Sequence, residues 1–443
     1  MVVSTRRSFR LRVAFCAVLV AVLASLITPP SAEALSRPAA KTIATGLSDV
    51  PCRYALLASK GTTVANSIAV VAYLDGDTLK TRRSLNAGVT WESARTISLS
   101  EDRGWNNECV AVVATSTYFY LVADTWASVK VDPTCEEYVD ENWVGCDTID
   151  TSILLIWRST DGKTWRGAGS MDSSSITEFR VSASPTQLFL ASMSRSNIAP
   201  DCDNAAEDCP ADTTAISVYE TGTNNVVFGR AIELVTDVDS DYYGSALFLL
   251  GGGSIATLTW TDREGTSHMR SRISARNWRA PIILGTHEGA GWTGHVDGVS
   301  ASSGKSVFVG WTATDASSFK WNVSTNSGSK FSRSKNKADS TYDSAQIRSV
   351  WPIGAKFGVA VYRWESWDGD GDYAVTDIYT ATASSALKRW SMRLGEICVG
   401  GVYVESKVLV VGRLETTVLT WDDDLEEFSE SSTYSLYSYT SAP

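Results

Sequence analysis

Three histidines in 443 residues, and no cluster of lysine and arginine beyond the extreme N-terminus, remove the usual signatures of two large function classes. His268, His287 and His295 show no ligand spacing of the H-E-x-x-H kind, which argues against a zinc centre. A formal net charge of −11 without a basic stripe argues against DNA or RNA as partner. The G-x-S-x-G elbow and the Walker phosphate loop are also missing, and "LLGGGS" at 249–254 reads as a turn between strands. Beyond the N-terminal segment no run approaches the roughly 18 apolar residues of a membrane helix, so membrane insertion is not expected. No stretch keeps the 3.6-residue apolar period of a long amphipathic helix either.

What is present begins with an export signal. "RRSFRLR" is basic, "VAFCAVLVAVLASLI" apolar, and "SAEA" ending at Ala34 has the small-x-small pattern of a cleavage site. Residues 1–34 are therefore expected to be removed, leaving 35–443 as a single extracellular domain; "TRRSF" also resembles a twin-arginine signal. Of eight cysteines Cys16 lies in that signal, leaving an odd seven. Two pairs bracket short acidic loops, and in an oxidising compartment local disulfides Cys135–Cys146 and Cys202–Cys209 are expected. The competing reading of the second loop is a structural calcium on Asp201, Asp203, Glu207 and Asp208; no other cofactor is expected. Cys52 is expected to pair with Cys109 or Cys398, and Asn322 opens a glycosylation sequon.

The period along the rest of the chain is two. "SIAVVAYL", "YFYLVAD", "TQLFLAS", "SIATLTW", "SVFVGW", "FGVAVYRW" and "KVLVVGRL" are short, rich in β-branched and aromatic residues, and bounded by Gly, Asp, Asn and Ser. Each sits in a unit of four strands and three turns, repeated about seven times at roughly 50–60 residues. An all-β propeller of about six to seven four-stranded blades disposes of so many strand edges; a two-sheet sandwich is the alternative.

One short motif recurs inside the units. "RRSLNAGVTW" (82–91) carries Ser84, Asn86, Gly88 and Trp91; "RSTDGKTW" (158–165) carries Ser159, Asp161, Gly162 and Trp165; "STNSGSKF" (324–331) carries Ser324, Asn326 and Gly328. Degenerate versions stand near "SARNW" and "WDDDLEEF". The motif resembles the Asp box of sialidase and BNR-repeat propellers, which implies a hairpin between the third and fourth strands of a blade. In it the Asp or Asn would bind turn amides, Gly would take a positive φ, and Trp would pack between blades. These residues are expected to be structural.

Function on a propeller gathers where first strands converge. The residues opening those strands are Arg53, Glu108, Arg180, Tyr242 or Tyr243, Asp297, Arg348 and Glu396, all polar or phenolic. The resemblance to exo-sialidases implies an arginine clamp for a substrate carboxylate, here Arg53, Arg180 and Arg348, with an acid near Asp75 or Asp77. A tyrosine nucleophile would be Tyr362 or Tyr373 in "VYRWESWDGDGDY", a segment otherwise read as a solvated interblade loop. Tyr-Ala stands after Arg53 where the family has Ile-Pro, so the expectation is a glycan- or protein-binding module with a degenerate site, an active glycoside hydrolase being the alternative. Glycans or glycoproteins are the expected partners, with a protein partner as a further option.

Overall fold

The computed structural model describes residues 39–47, 57–60, 67–99, 104–130, 148–173, 176–196, 213–222, 226–228, 230–236, 248–261, 266–286, 299–312, 318–332, 335–338, 344–365, 373–382, 387–394, 397–404, 407–422 and 427–441. All lie in the compact unit Pro38–Pro443. Their strands form seven antiparallel sheets, each a meander running from an innermost to an outermost strand. The innermost strands are Leu57–Lys60, Gly104–Ala114, Ile176–Ala183, Phe248–Gly251, Val299–Ser303, Ser344–Ile353 and Ile397–Val404, opening blades I to VII. Each borders the innermost strands of the blades before and after it, and the seventh returns to the first. The chain is thus a seven-bladed β-propeller.

Blade VII closes the ring with both halves of the chain. Its first three strands are Ile397–Val404, Lys407–Asp422 and Glu427–Ser441, and its outermost strand is the N-terminal Lys41–Leu47, paired with Glu427–Ser441. In blade IV the strand Thr266–Ser274 takes two successive partners, Asn277–Trp278 and Ile282–Thr286.

Packing explains why the second strands are almost continuously apolar. Both faces of a blade are covered by neighbouring blades, so both residue parities must be buried. Along Ile68–Asp75 of blade I, Val70, Ala72 and Leu74 join Val110, Val112, Phe119 and Leu121 of blade II. Val71 and Tyr73 turn the other way, into the cluster that holds Leu409, Val411 and Leu436 of blade VII.

An up-and-down meander sorts connections to two ends. The turns between first and second strands are tight at one end, as in Thr115–Tyr118, Ser184–Gln187, Ser303–Ser306 and Ile353–Lys356. The long stretches 131–147, 197–212, 237–247 and 287–298 join strand ends at the other. At the tight end neighbouring turns are hydrogen-bonded into a collar. Ser116 N–H donates to Pro185 O (2.9 Å), Gly253 N–H to Ala183 O (3.1 Å), Ser302 N–H to Gly252 O (3.0 Å), and Ser303 Oγ to Gly354 O. A Cβ on Gly253 would stand 2.1 Å from Ser302 O, so the backbones can approach only because the side chain is absent. The "LLGGGS" segment is therefore the end of an innermost strand as well as a turn, and its glycines join blades III, IV and V.

Three further readings are corrected. "WDDDLEEF" ends the second strand and begins the third of blade VII, so it does not occupy a third-to-fourth-strand hairpin. "WESWDGDGDY" joins Lys356–Glu365 to Tyr373–Ala381 inside blade VI and is not interblade. Asn322 is 7% exposed in the strand Ser318–Ser324, so the folded chain does not offer it for glycosylation. Cys52, Cys135, Cys146, Cys202 and Cys209 lie outside the described residues, as do the side chains of Cys109 and Cys398; so do Asp201, Asp203, Glu207 and Asp208. Among the described residues no helix is long and apolar enough to cross a membrane, and no group of His, Cys, Asp and Glu could hold a metal.

Candidate functional site

The three motif hairpins share one geometry. Ser84, Ser159 and Ser324 each donate to the Oδ1 two residues on, at 2.9, 2.9 and 2.7 Å, and each accepts from the amide of the motif glycine, at 2.8, 2.8 and 3.0 Å. That Oδ1 then accepts further amides: Thr90 for Asn86, Lys163 and Thr164 for Asp161, Lys330 for Asn326. Gly88, Gly162 and Gly328 have φ of 83°, 71° and 74°, the left-handed region that costs glycine least. The longer versions hold one more left-handed residue, Ala87 or Ser327, which absorbs the extra position.

Each hairpin staples its blade to the preceding one. Trp91 Nε1 donates to Ser438 Oγ of blade VII (2.8 Å) and Trp165 Nε1 to Thr81 Oγ1 of blade I (3.2 Å). In the degenerate "SARNW", Arg276 takes the positive φ and Trp278 Nε1 donates to Glu220 of blade III (3.2 Å). Every acceptor lies on the third strand of the blade before. Arg272 also grips Glu220 with two contacts of 3.0 Å, a bidentate pair that the sequence alone did not reveal. Phe331 has no ring N–H and packs beside Met269 and Val307 instead.

Asp161 gives these staples a pH dependence. Partial burial opposes its ionisation, but the amides of Thr164 and Lys163, the Ser159 hydroxyl and Arg83 outweigh that and bring its pKa down to about 2. A depressed acid stabilises fully above its ordinary value of 3.8, and that stabilisation is lost as pH falls through about 2. Urea midpoints of wild type and Asp161→Asn are expected to differ most at about pH 5 and to converge towards about pH 2. A constant difference would contradict the assignment.

All seven innermost strands line an axial cavity of about 370 Å³. Its wall is small or apolar, with Phe179, Val181, Leu250, Val299 and Trp351 among the larger residues, and hydroxyls come from Ser59, Ser182, Ser300 and Ser349. Arg180 is the one charged side chain among the described lining residues. Phe179 and Val181 pack in the cluster that holds Tyr120 and Ile156 of blade II, so by strand alternation Arg180 and Ser182 turn towards blade IV. Ser182 Oγ accordingly donates to Gly251 O (3.2 Å), and Arg180 Nη1 to Phe179 O (2.9 Å).

The other candidates are distributed as follows. Arg53, Tyr242, Tyr243, Asp297 and Glu396 lie outside the described residues, and Glu108 and Arg348 only have their backbone described. Both of the latter sit at breaks in register, Glu108 between Trp105 and Val110 and Arg348 between Ile347 and Ser349, where a bulge re-aims the strand. Asp75 and Asp77 belong to the tight turn between the second and third strands of blade I, at the same end as the starts of the innermost strands. There Asp75 pairs with Lys80, and that hydrogen bond raises the lysine pKa. Tyr362 and Tyr373 lie on neighbouring strands of blade VI, three register steps apart, with Tyr362 opposite Thr376 and Tyr373 opposite Glu365.

The fold and its axial cavity define the class, a seven-bladed β-propeller. No family model matches the chain, and no curated protein sequence matches it. Among solved structures it is similar to the BP39L lectin of Burkholderia pseudomallei, at 12% identity over 77% of this chain and 99% of the lectin, with a TM-score of 0.40. It is also similar to the NanB sialidase of Streptococcus pneumoniae, at 11% identity over 91% of this chain and 71% of the sialidase (TM-score 0.39). A third is the Aleuria aurantia lectin, at 10% identity over 77% of this chain and 96% of the lectin (TM-score 0.38).

Proposed function

We propose that this protein is an exported propeller that binds a glycan carrying a carboxylate or many hydroxyls at its axis. The observation that carries the reading is Arg180, a guanidinium in a cavity whose other polar side-chain groups, among the described lining residues, are serine hydroxyls and the indole N–H of Trp351. A guanidinium matches a carboxylate in shape and charge, and hydroxyls can donate to and accept from sugar hydroxyls. The net charge of −11 repels an acidic ligand at long range, so attraction must come from the cavity.

A second reading, a sialidase-type hydrolase, adds an acid from Asp75 or Asp77 and a nucleophile from Tyr362 or Tyr373. It is favoured by the turn that carries Asp75 and Asp77, which shares an end with the first-strand starts. Two assays separate the readings: a glycan array probed with residues 35–443, and release of 4-methylumbelliferone from its sialic-acid glycoside, with Arg53→Ala and Arg180→Ala beside the wild type. Array binding whose preference for acidic glycans is lost in Arg180→Ala, without turnover, is the expected result. Turnover abolished by Arg53→Ala would replace binding by hydrolysis, and neither binding nor turnover would overturn both.

A further inference from the structure

Among the described residues, the large apolar side chains that stand out into solvent are Leu85, Trp126, Val227, Ile273 and Ile283. Only Trp126 is aromatic, and its place in the fold differs from the rest. Leu85 belongs to a motif hairpin at the collar end, and Ile283 to the outermost strand of blade IV. Trp126 stands on the second strand of blade II, Phe119–Lys130, towards the end from which the long stretch 131–147 departs. It is 45% exposed.

Its cross-strand partner is Gly104, the first residue of an innermost strand. A Cβ on Gly104 would lie 2.6 Å from both Cε2 and Nε1 of the indole and 2.9 Å from Cζ2. The ring is therefore seated on the backbone of the innermost strand at a position where any side chain would dislodge it. Directly after Trp105 that strand leaves register until Val110. An indole seated on the first residue of an innermost strand, at the end where those strands start, with nearly half its surface open, presents an electron-rich face to a ligand that approaches the axis from that end.

We propose that Trp126 is a stacking platform for a pyranose ring of the bound glycan, its face receiving the sugar's C–H groups while the axial cavity holds the acidic or hydroxyl-rich end. This rests on the glycan-binding reading above. An indole that merely shields Gly104 would contribute to stability and leave affinity alone.

The experiment titrates residues 35–443 with 3′-sialyllactose and with lactose, following tryptophan emission. Wild type is expected to bind sialyllactose with a blue shift. Trp126→Ala is expected to bind it about tenfold more weakly and Trp126→Phe about threefold, both without the shift and with unchanged melting temperature. Arg180→Ala is expected to lose the preference for sialyllactose over lactose while keeping the shift. If Trp126→Ala does not fold, Trp126→Phe carries the test. Variants that bind as tightly as wild type, or that melt earlier with unchanged affinity, would overturn the platform alone. A wild type that binds neither sugar, nor any glycan on the array, would overturn the glycan reading with it.

Discussion

Asp377→Ala is expected to cost about 3–5 kcal/mol, a large part of the roughly 5–15 kcal/mol that holds a domain folded. Asp377 and Arg363 lie on neighbouring strands of blade VI and are 0% and 1% exposed. Asp377 Oδ2 stands 3.3 Å from Arg363 Nε, and Arg363 Nη2 donates to the hydroxyl of Tyr379. Around them is the apolar seam between blades V and VI, with Phe319, Trp321, Ile347 and Val361. Removing the carboxylate takes away the counter-charge that faces the guanidinium across neighbouring strands in that seam, and breaking a buried ion pair from one side is far costlier than keeping it. The double replacement Arg363→Met with Asp377→Leu is expected to recover most of the loss, because an apolar pair of similar volume faces no desolvation there. Urea midpoints of the three variants check this. A single variant within about 1 kcal/mol of wild type would show that Arg363 is compensated by other groups.

Truncation to a chain beginning at Ser48 is expected to abolish cooperative unfolding. Lys41–Leu47 is the outermost strand of blade VII, and it brings Ile43 and Leu47, 0% and 1% exposed, into the core shared by blades VII and I. Each of these side chains is worth about 1.5–3 kcal/mol of burial, and the seven-residue strand also supplies the last ladder of the ring. Ser438 concentrates the closure: its Oγ accepts from Trp91 Nε1 and donates to Lys41 O at 3.5 Å, so one hydroxyl touches blade I, blade VII and the N-terminal strand. Without that strand Glu427–Ser441 becomes a long open edge, a template for aggregation. Calorimetry of the truncated chain, with and without a peptide of residues 39–47, tests the idea; a single sharp transition within a few degrees of the full chain would refute it. Trp91→Phe, which removes only the ring N–H, is expected to cost about 1 kcal/mol.

The architecture was legible because its signals are local. Ser84, Asn86 and Gly88 bond within one turn, and the short apolar run in "SIAVVAYL" belongs to one strand, so local sequence alone reports them. Arg363 and Asp377 were not legible: an arginine in "VAVYRW" and an aspartate in "AVTDIY" look like solvent-facing positions until two blades close over them. "KTIATGL" is equally unremarkable, since its partner strand lies at the far end of the chain and sequence periodicity carries no information about such a pairing. In the axial wall, Arg180 is legible as a polar residue of a first strand, although it stands fifth in Ile176–Ala183 and does not open it. The serines and Trp126 were missed because small hydroxyls and surface tryptophans have no distinguishing neighbours in sequence.

The way the ring closes also fixes where the chain can be held. Lys41–Leu47 runs from the collar end towards the long connections, and Glu427–Ser441 runs the opposite way. The chain therefore enters at Lys41 and leaves at Ser441 on one and the same side, at the rim of one blade. A tag, tether or appended module at either terminus would mount the propeller by its collar side, with Trp126 and the first-strand starts facing outward and equally open whichever end is held.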